Sequence, residues 1–235
     1  MRLSAAIMAH PVRTASAEAV QASLDRPTPI VWDPVAKPSK DKMQRWRNGK
    51  RAWQTAYDAA PAADWCLVLQ DDVRVADNLL AGIEAALEHL GTDGLVSAYA
   101  GTGRPEQRNV RQAIAHADKH GLAWWSTRSL NWGPAIIAPR HTVPGMLEWV
   151  EQEVIRNRPP LSNMDRCIGV YYRDILGWRT WYLHPSLVEH RDELPSLVGH
   201  DTPGTARTAH RFHTGDALAI DWSRVPAKGL VPTLS

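Results

Sequence analysis

The sequence is short of several features that would mark familiar protein classes. Only one phenylalanine and two cysteines occur among its 235 residues. Cys66 and Cys167 stand far apart, each inside an apolar pattern, so we expect reduced core thiols and neither a disulfide framework nor a cysteine-based zinc site. No apolar run approaches the roughly 20 residues of a membrane-spanning helix. The apolar start breaks at His10-Pro11, too early for a signal peptide, which predicts a cytoplasmic protein.

A glycine-rich phosphate loop is also missing from the start of the chain. The first apolar segment runs into "AHPVR" (residues 9–13), which resembles neither a P-loop nor a dinucleotide-binding fingerprint. This argues against dehydrogenases, P-loop enzymes and the nucleotidyltransferases that carry such a loop early in the chain.

The bulk composition is that of an ordinary globular domain. Apolar residues make up 44% of the chain and charged residues 22%, and the formal net charge is +2. This mild basicity permits an anionic partner without requiring one.

Apolar strands and amphipathic helices alternate through the first hundred residues, which predicts a single α/β domain with a mainly parallel central sheet flanked by helices. Later segments predict a strand pair at 122–130 and 133–139, helices at 145–156 and 163–176, and a last strand at 180–190. The tail from residue 201 to 235 has no period and is predicted to be a lid or a wrapping arm.

Carboxylates follow two of the early strands. Asp33 ends the segment "PIVWD", and Asp71-Asp72 end the buried run at 65–70. The pair has three interpretations: backbone bonds in a turn, acid–base catalysis, or binding of a hard divalent cation that also holds phosphate oxygens. Asp77 is a candidate cap for the next helix, so the third interpretation is favoured. Ligands of such sheets lie beyond the carboxyl ends of the strands.

The stretch "RNGKRAWQTAYDAAPAADWCLVLQDDVRV" (residues 47–75) resembles the nucleotide-binding core of GT-A-fold glycosyltransferases. In that family an Arg/Asn-Gly-x-x-x-Ala helix precedes a buried strand that ends in a DXD motif. The motif stands here as Gln70-Asp71-Asp72, with an amide in place of the first acid. The resemblance covers residues 2–200 in element order, and it is greatest to the compact glycosyltransferases encoded by actinobacterial phages.

This resemblance implies a GT-A-like domain over residues 1–200, with a Rossmann-like nucleotide-sugar-binding half up to about residue 100 and an acceptor half beyond it. The donor would be a nucleotide sugar, with a UDP-sugar expected, and the metal Mn²⁺ or Mg²⁺. The implied donor-side roles are Asp33 for the base, Arg13 for the diphosphate, Asp71 for the ribose or sugar, Gly133 for close backbone approach to the sugar, and Asp72 with His190 for the metal.

Asp165, in "LSNMDRCIGVYYRDILGW", matches the first-turn acid that is the base of inverting family members. The helix dipole is expected to keep this carboxylate ionised. If the enzyme retains configuration, Asp165 would orient the acceptor instead.

Three partners stay open for the acceptor side. A hydroxymethylated pyrimidine in phage DNA is favoured by the basic helix face at 45–51 and by the basic loop "RPEQRNVRQ" at 104–112, and it would place the protein in the host cytoplasm. A virion protein or a glycan needs no special surface. The replacement of an acid by Gln70 leaves room for a non-catalytic nucleic-acid-binding module with a degenerate transferase fold.

Overall fold

The computed structural model describes residues 1–38, 41–91, 93–102, 107–156, 163–194, 197 and 207–226. The strands are β1 (Leu3–Ala9), β2 (Ile30–Trp32), β3 (Trp65–Gln70), β4 (Val73–Val75), β5 (Leu95–Ser97), β6 (Trp124–Thr127), β7 (Ala135–Pro139), β8 (Thr180–Leu183) and β9 (Val188–His190). The α-helices are α1 (Thr14–Ala22), α2 (Lys42–Ala59), α3 (Leu79–Leu87), α4 (Gln107–His120), α5 (Val143–Arg156) and α6 (Met164–Val170), the last extended by a π-helical turn, Tyr171–Ile175.

A seven-stranded sheet in the order β2-β1-β3-β7-β5-β8-β6 forms the centre of the described chain. β1 pairs in parallel with β2 and β3, and β5 with β8, whereas β7 and β6 run the other way. The predicted α/β fold with a mainly parallel sheet between helices is therefore confirmed. The sheet also crosses the predicted boundary near residue 100, because β7 pairs with β3 and with β5.

The predicted strand pair in the second half is wrong. β6 and β7 do not pair with each other: β6 lies at the sheet edge beside β8, and β7 lies in the middle between β3 and β5. All five residues of β7 are buried, as expected for a strand covered on both faces. Closeness in sequence suggested a hairpin, but the apolar character of β7 places it at the centre.

Helices cover both faces of the sheet, and β3 shows how its sequence divides between them. Side chains alternate along a strand, so Leu67 and Leu69 join a core with α1 and α3. Cys66 and Val68 join a second core with the buried tryptophans of α2 and with Ile168 of α6. Each layer thus receives every second residue of the same strand.

Local hydrogen bonds explain where two of the helices begin. α2 begins at Lys42 because the Asp41 carboxylate accepts from the Met43 N–H at 2.8 Å and caps the first turn. The predicted cap of α3 is wrong: Asp77 makes no such bond. The carboxylate of Asp25, from the turn after α1, accepts instead from the N–H groups of Leu80 (2.8 Å) and Ala81 (3.0 Å).

The described part of the predicted tail, residues 207–226, is bound to the body by backbone hydrogen bonds. The N–H groups of His210 and Ala217 donate to Ala100 and Asp77, and Ser186 donates to Arg211. Trp222 packs edge-on against Trp124 of β6. Its role as a lid or an arm stays a prediction. Within the described ranges, every helix is too short or too polar to cross a membrane.

Candidate functional site

Three neighbouring parallel strands end at one rim of the sheet and bring the predicted donor-side residues there. In the register, Ala9 of β1 pairs with Trp32 of β2, and Met8 pairs with Gln70 of β3. Asp33, His10 and Asp71 are the residues that follow these strand ends. Because parallel strands carry them to the same level, residues distant in sequence meet at this rim.

Asp71 and Asp72, the acidic couplet, are both 5% exposed. Arg13, from the turn after β1, lies between the two carboxylates. Its Nη1 donates to Asp72 Oδ2 at 2.6 Å and to Asp71 Oδ1 at 3.0 Å. Asp71 also accepts from the backbone N–H of His10 at 2.8 Å. Arg13 is therefore a counter-ion shared by the two charges that the sequence leaves unexplained.

His190 is brought to the couplet by the strand pair β4–β9. Val73, directly after the couplet, is the register partner of His190, and His190 Nε2 lies 3.3 Å from Asp72 Oδ2. The backbone N–H of Arg191 donates to the Asp72 carbonyl at 2.8 Å. The structure thus unites Asp71, Asp72, Arg13 and His190, and we call this group the couplet side.

The pKa values of the two carboxylates of the couplet are shifted in opposite directions. Burial alone would raise the pKa of Asp72, but the hydrogen bond and charge of His190, followed by those of Arg13, outweigh it and lower the pKa to about 2. Burial and the neighbouring charge of Asp72 raise the pKa of Asp71, and Arg13 only partly offsets this. Asp72 is the member that its surroundings hold as an anion.

Several buried polar atoms at this rim lack a hydrogen-bond partner in the described structure. They are Asp72 Oδ1, His190 Nδ1, His10 Nε2 and Asn48 Oδ1. Each such atom costs about 1–3 kcal/mol unless something binds it. Four of them in one neighbourhood indicate a site that a polar ligand completes.

A divalent cation does not fit this site as it is arranged. Asp72 and His190 supply suitable ligand atoms, but Arg13 already holds the couplet's facing oxygens. Among the described residues, no three His, Cys, Asp or Glu side chains are grouped so as to hold an ion together. The Mn²⁺ or Mg²⁺ expected from the sequence stays a prediction, and its binding would require Arg13 to release Asp72.

Two residues near Asp33 were not singled out from the sequence. Asn48, on α2, is 6% exposed and donates from Nδ2 to the Ala9 carbonyl. His10 is 7% exposed, and its Nδ1 accepts from the Val12 N–H at 3.2 Å, so Nε2 carries the proton of the neutral ring. In the sequence, the "NG" of the helix motif could have indicated Asn48, and the break at "HP" could have indicated His10. Asp33 itself is buried and accepts from the Val35 N–H.

On the opposite face of β3, Gln70, Gly133 and Asp165 come together, and we call them the glycine side. A Cβ on Gly133 would lie 3.2 Å from Gln70 Nε2, 3.2 Å from Asp165 Cβ and 3.6 Å from Asp165 Oδ2. The closeness of these groups explains why glycine is needed here. The predicted acceptor-side acid therefore lies beside the predicted strand motif.

The pKa of Asp165 is raised, whereas the helix dipole alone would lower it. Burial raises its pKa, and the Arg166 N–H and the charges of Arg45 and Arg166 only partly oppose this. The loss of water on burial outweighs the helix dipole at this position. The carboxyl is easier to protonate than an ordinary aspartate.

Two surfaces were predicted to bind DNA. Two cations of the basic face on α2 make contacts within the fold, and part of the basic loop lies outside the described residues. On α2, Lys50 pairs with Glu151 at 2.5 Å and Arg51 donates to the Trp32 carbonyl at 2.9 Å. Residues 104–106 of the basic loop are outside the described ranges, as are the side chains of 107–109. The prediction of a loop is wrong for residues 107–112, which form the first turns of helix α4.

No protein-family model matches the chain, and no curated protein sequence matches it. One solved structure that is similar to it is described as "Crystal structure of a glycosyltransferase involved in the glycosylation of the major capsid of PBCV-1". The two chains are 12% identical, with 73% of this chain and 75% of the other covered and a TM-score of 0.39. A similarity this low carries no conclusion about activity.

Proposed function

We propose that the protein is a glycosyltransferase that moves a sugar from a nucleotide-sugar donor, expected to be a UDP-sugar, to an acceptor hydroxyl. The observation that carries the proposal is the placement of two acidic groups on opposite faces of one strand end. The buried couplet lies at the rim where a diphosphate would bind, and a separate carboxyl, Asp165, lies beyond Gly133.

The rim offers complementary groups along the length of a nucleotide sugar. Asp33 and Asn48 Oδ1 can accept from a base or ribose, and His10 Nε2 can donate to one. Arg13 offers positive charge to the diphosphate at the couplet. Asp71 lies between these regions, where the ribose or the transferred sugar would pass.

Once Arg13 has released Asp72, Asp72 and His190 would hold a divalent cation, which would neutralise charge on the leaving diphosphate. The chain's own residues supply the remaining functions. Arg13 binds the donor, and Gly133 lets Asp165 approach the end of β3. Asp165 accepts the proton of the attacking hydroxyl, in a reaction that inverts the anomeric centre.

As the acceptor, we propose the hydroxymethylated pyrimidine of phage DNA. The basic residues of the segment at 104–112 support it, whereas Lys50 and Arg51 of α2 are used within the fold. Phosphate contacts weaken steeply with salt. Binding to hydroxymethylated duplex DNA should therefore fall as salt rises, and salt-independent or absent binding would favour a protein or glycan acceptor.

The direct test is incubation with a panel of nucleotide sugars, with Mn²⁺, with Mg²⁺ and with EDTA, while released nucleoside diphosphate is measured. We expect release from at least one donor and its loss in Asp72→Asn, which keeps the size of the side chain and removes its charge. Asp58→Asn, an exposed aspartate on α2, is the control. Turnover that survives Asp72→Asn would refute the role of the couplet.

A further inference from the structure

A cleft of about 280 Å³ lies between the C-terminal end of α4, the residues that follow β8 and the described part of the tail. Ala117 and Ala123 line it and are buried. Its charged lining residues include Asp118, Arg211 and Arg224. A space that combines apolar surface with a few charged groups is typical of a ligand site, and this one is separate from both the couplet side and the glycine side.

Two arginines of the cleft are held by carboxylates through the same atom. Arg211 Nε lies 3.3 Å from Asp118 Oδ1, and Arg224 Nε lies 3.0 Å from Asp221 Oδ2. The Arg211 side chain is 62% exposed and the Arg224 side chain 61%. Since each ion pair is made at Nε, the protein orients both guanidinium groups while most of each side chain stays accessible from solvent.

The charge around the cleft is positive on balance. His184 is buried, and its Nε2 lies 2.8 Å from the same Asp118 oxygen that Arg211 approaches. Burial lowers the pKa of His210, and the charges of Arg111 and His184 lower it further. Arg111 therefore adds a third guanidinium near the residue that precedes Arg211. Three arginines stand against two carboxylates, which favours a ligand with negative charge.

The cleft lies at the rim that carries the couplet. β3 and β5 both pair antiparallel with β7, and β8 pairs in parallel with β5, so β3 and β8 end at the same rim. Asp71 follows the end of β3, and His184 follows the end of β8. Three strand spacings separate β3 from β8, which is about 14 Å. A DNA duplex rises by this distance over about four base pairs, so one duplex can reach both places.

We propose that the cleft binds a backbone phosphate of the acceptor DNA through Arg211 and Arg224 and so anchors the duplex along the rim. Phosphate oxygens accept from a guanidinium, whose planar N–H groups match their geometry. Because phosphates carry no sequence information, the contact sets the position of the duplex and not the choice of base. This rests on the DNA acceptor proposed above.

Binding of duplex DNA over a series of salt concentrations, measured by fluorescence anisotropy, tests the anchor. For Arg211→Gln/Arg224→Gln we expect weaker binding at low salt and a slope of log K against log salt that is smaller by about 1, the value for one lost phosphate contact. The loss should be equal for plain and hydroxymethylated duplexes. Arg211→Lys/Arg224→Lys, which keeps both charges, should retain the wild-type slope.

The control is Arg2→Gln/Arg128→Gln, which removes two charges from exposed arginines at the opposite rim, where β1 begins and β6 ends. It should leave the slope unchanged. An unchanged slope in the glutamine variant of the cleft, or an equal fall in the control, would overturn the anchor.

Two further outcomes distinguish failure of the anchor from failure of the proposed function. Wild-type protein that binds no duplex at low salt would overturn the anchor together with the DNA acceptor, whereas nucleoside diphosphate release with another acceptor would keep the transferase. Binding that depends on the two arginines, in a protein that releases no nucleoside diphosphate from any donor, would support the cleft as a phosphate site and refute the transferase.

Discussion

Asp72 and Asp165, which lie on the two faces of the β3 end, have pKa values that are shifted in opposite directions. On the couplet side, Asp72 lies among His190 and Arg13, and its pKa falls to about 2. On the glycine side, burial raises the pKa of Asp165 despite two arginines. His190 and Arg13 stabilise the anionic form of Asp72, whereas the surroundings of Asp165 favour its protonated form. The contrast fits a binding group on one face and a proton acceptor on the other.

The largest effect is expected from the glycine side. Asp165→Asn should lower kcat by about 10²–10⁴-fold, the usual contribution of a general base, with little change in donor KM. Asp165→Glu, which keeps the acid but moves it, should retain more activity than the amide. Full activity in Asp165→Asn would remove the proton acceptor from the mechanism and erase the contrast between the two faces.

The same substitution should stabilise the protein at neutral pH. The folded pKa of Asp165 lies above the unfolded one, so stability falls as the pH rises between the two values, and the penalty is complete above them. Asp165→Asn removes the penalty, so its Tm should exceed the wild-type Tm at pH 7. At a pH below the ordinary aspartate pKa the difference should vanish. A lower Tm at pH 7 would mean that Asp165 stabilises the fold as an anion.

On the couplet side, the main expected effect is on the free energy of unfolding. Arg13→Ala removes the counter-ion that two buried carboxylates share and should cost about 3–5 kcal/mol of unfolding free energy, measured by urea denaturation at pH 7. The control is Arg74→Ala, whose ion pair with Glu193 is exposed and is expected to contribute less than about 1 kcal/mol. Equal losses would show that Arg13 is not the counter-ion. Recovery of stability with Mn²⁺ in Arg13→Ala alone would show that the couplet can hold a metal once the guanidinium is gone.

The smallest effect is expected at Asp25, which belongs to neither the couplet side nor the glycine side. Asp25→Ala removes the cap of α3 and should cost about 0.5–2 kcal/mol, with kcat and both KM values unchanged. Because the change is confined to stability, it calibrates the kinetic effects of the other variants. A kinetic defect in Asp25→Ala would mean that loss of folded protein contributes to the kinetic defects of the other variants.

The sequence predicted the parts of the fold that depend on local pattern. β3 lies at 65–70 as predicted, and Asp41 starts α2, because an apolar run and a capping side chain act within a few residues. The helix cap from Asp25 and the central place of β7 could not be predicted in this way, since each depends on a partner more than fifty residues away.

The site was predictable in the same partial sense. The couplet and Asp33 follow from strand ends, and their common rim follows from parallel pairing. The position of Arg13 between the two carboxylates required the geometry of the turn after β1. The burial that opposes the dipole at Asp165 required the packing of α6.

The central place of β7 has a consequence for synthesis of the chain. β3 and β5 are complete by residue 97, yet the strand that joins them begins only at Ala135. While the ribosome adds the intervening residues, both strands keep an unpaired apolar edge, the type of edge that promotes aggregation. We expect a chain that stops at residue 133 to be insoluble and one that stops at residue 226 to be soluble, which a fractionation of cell lysates would show.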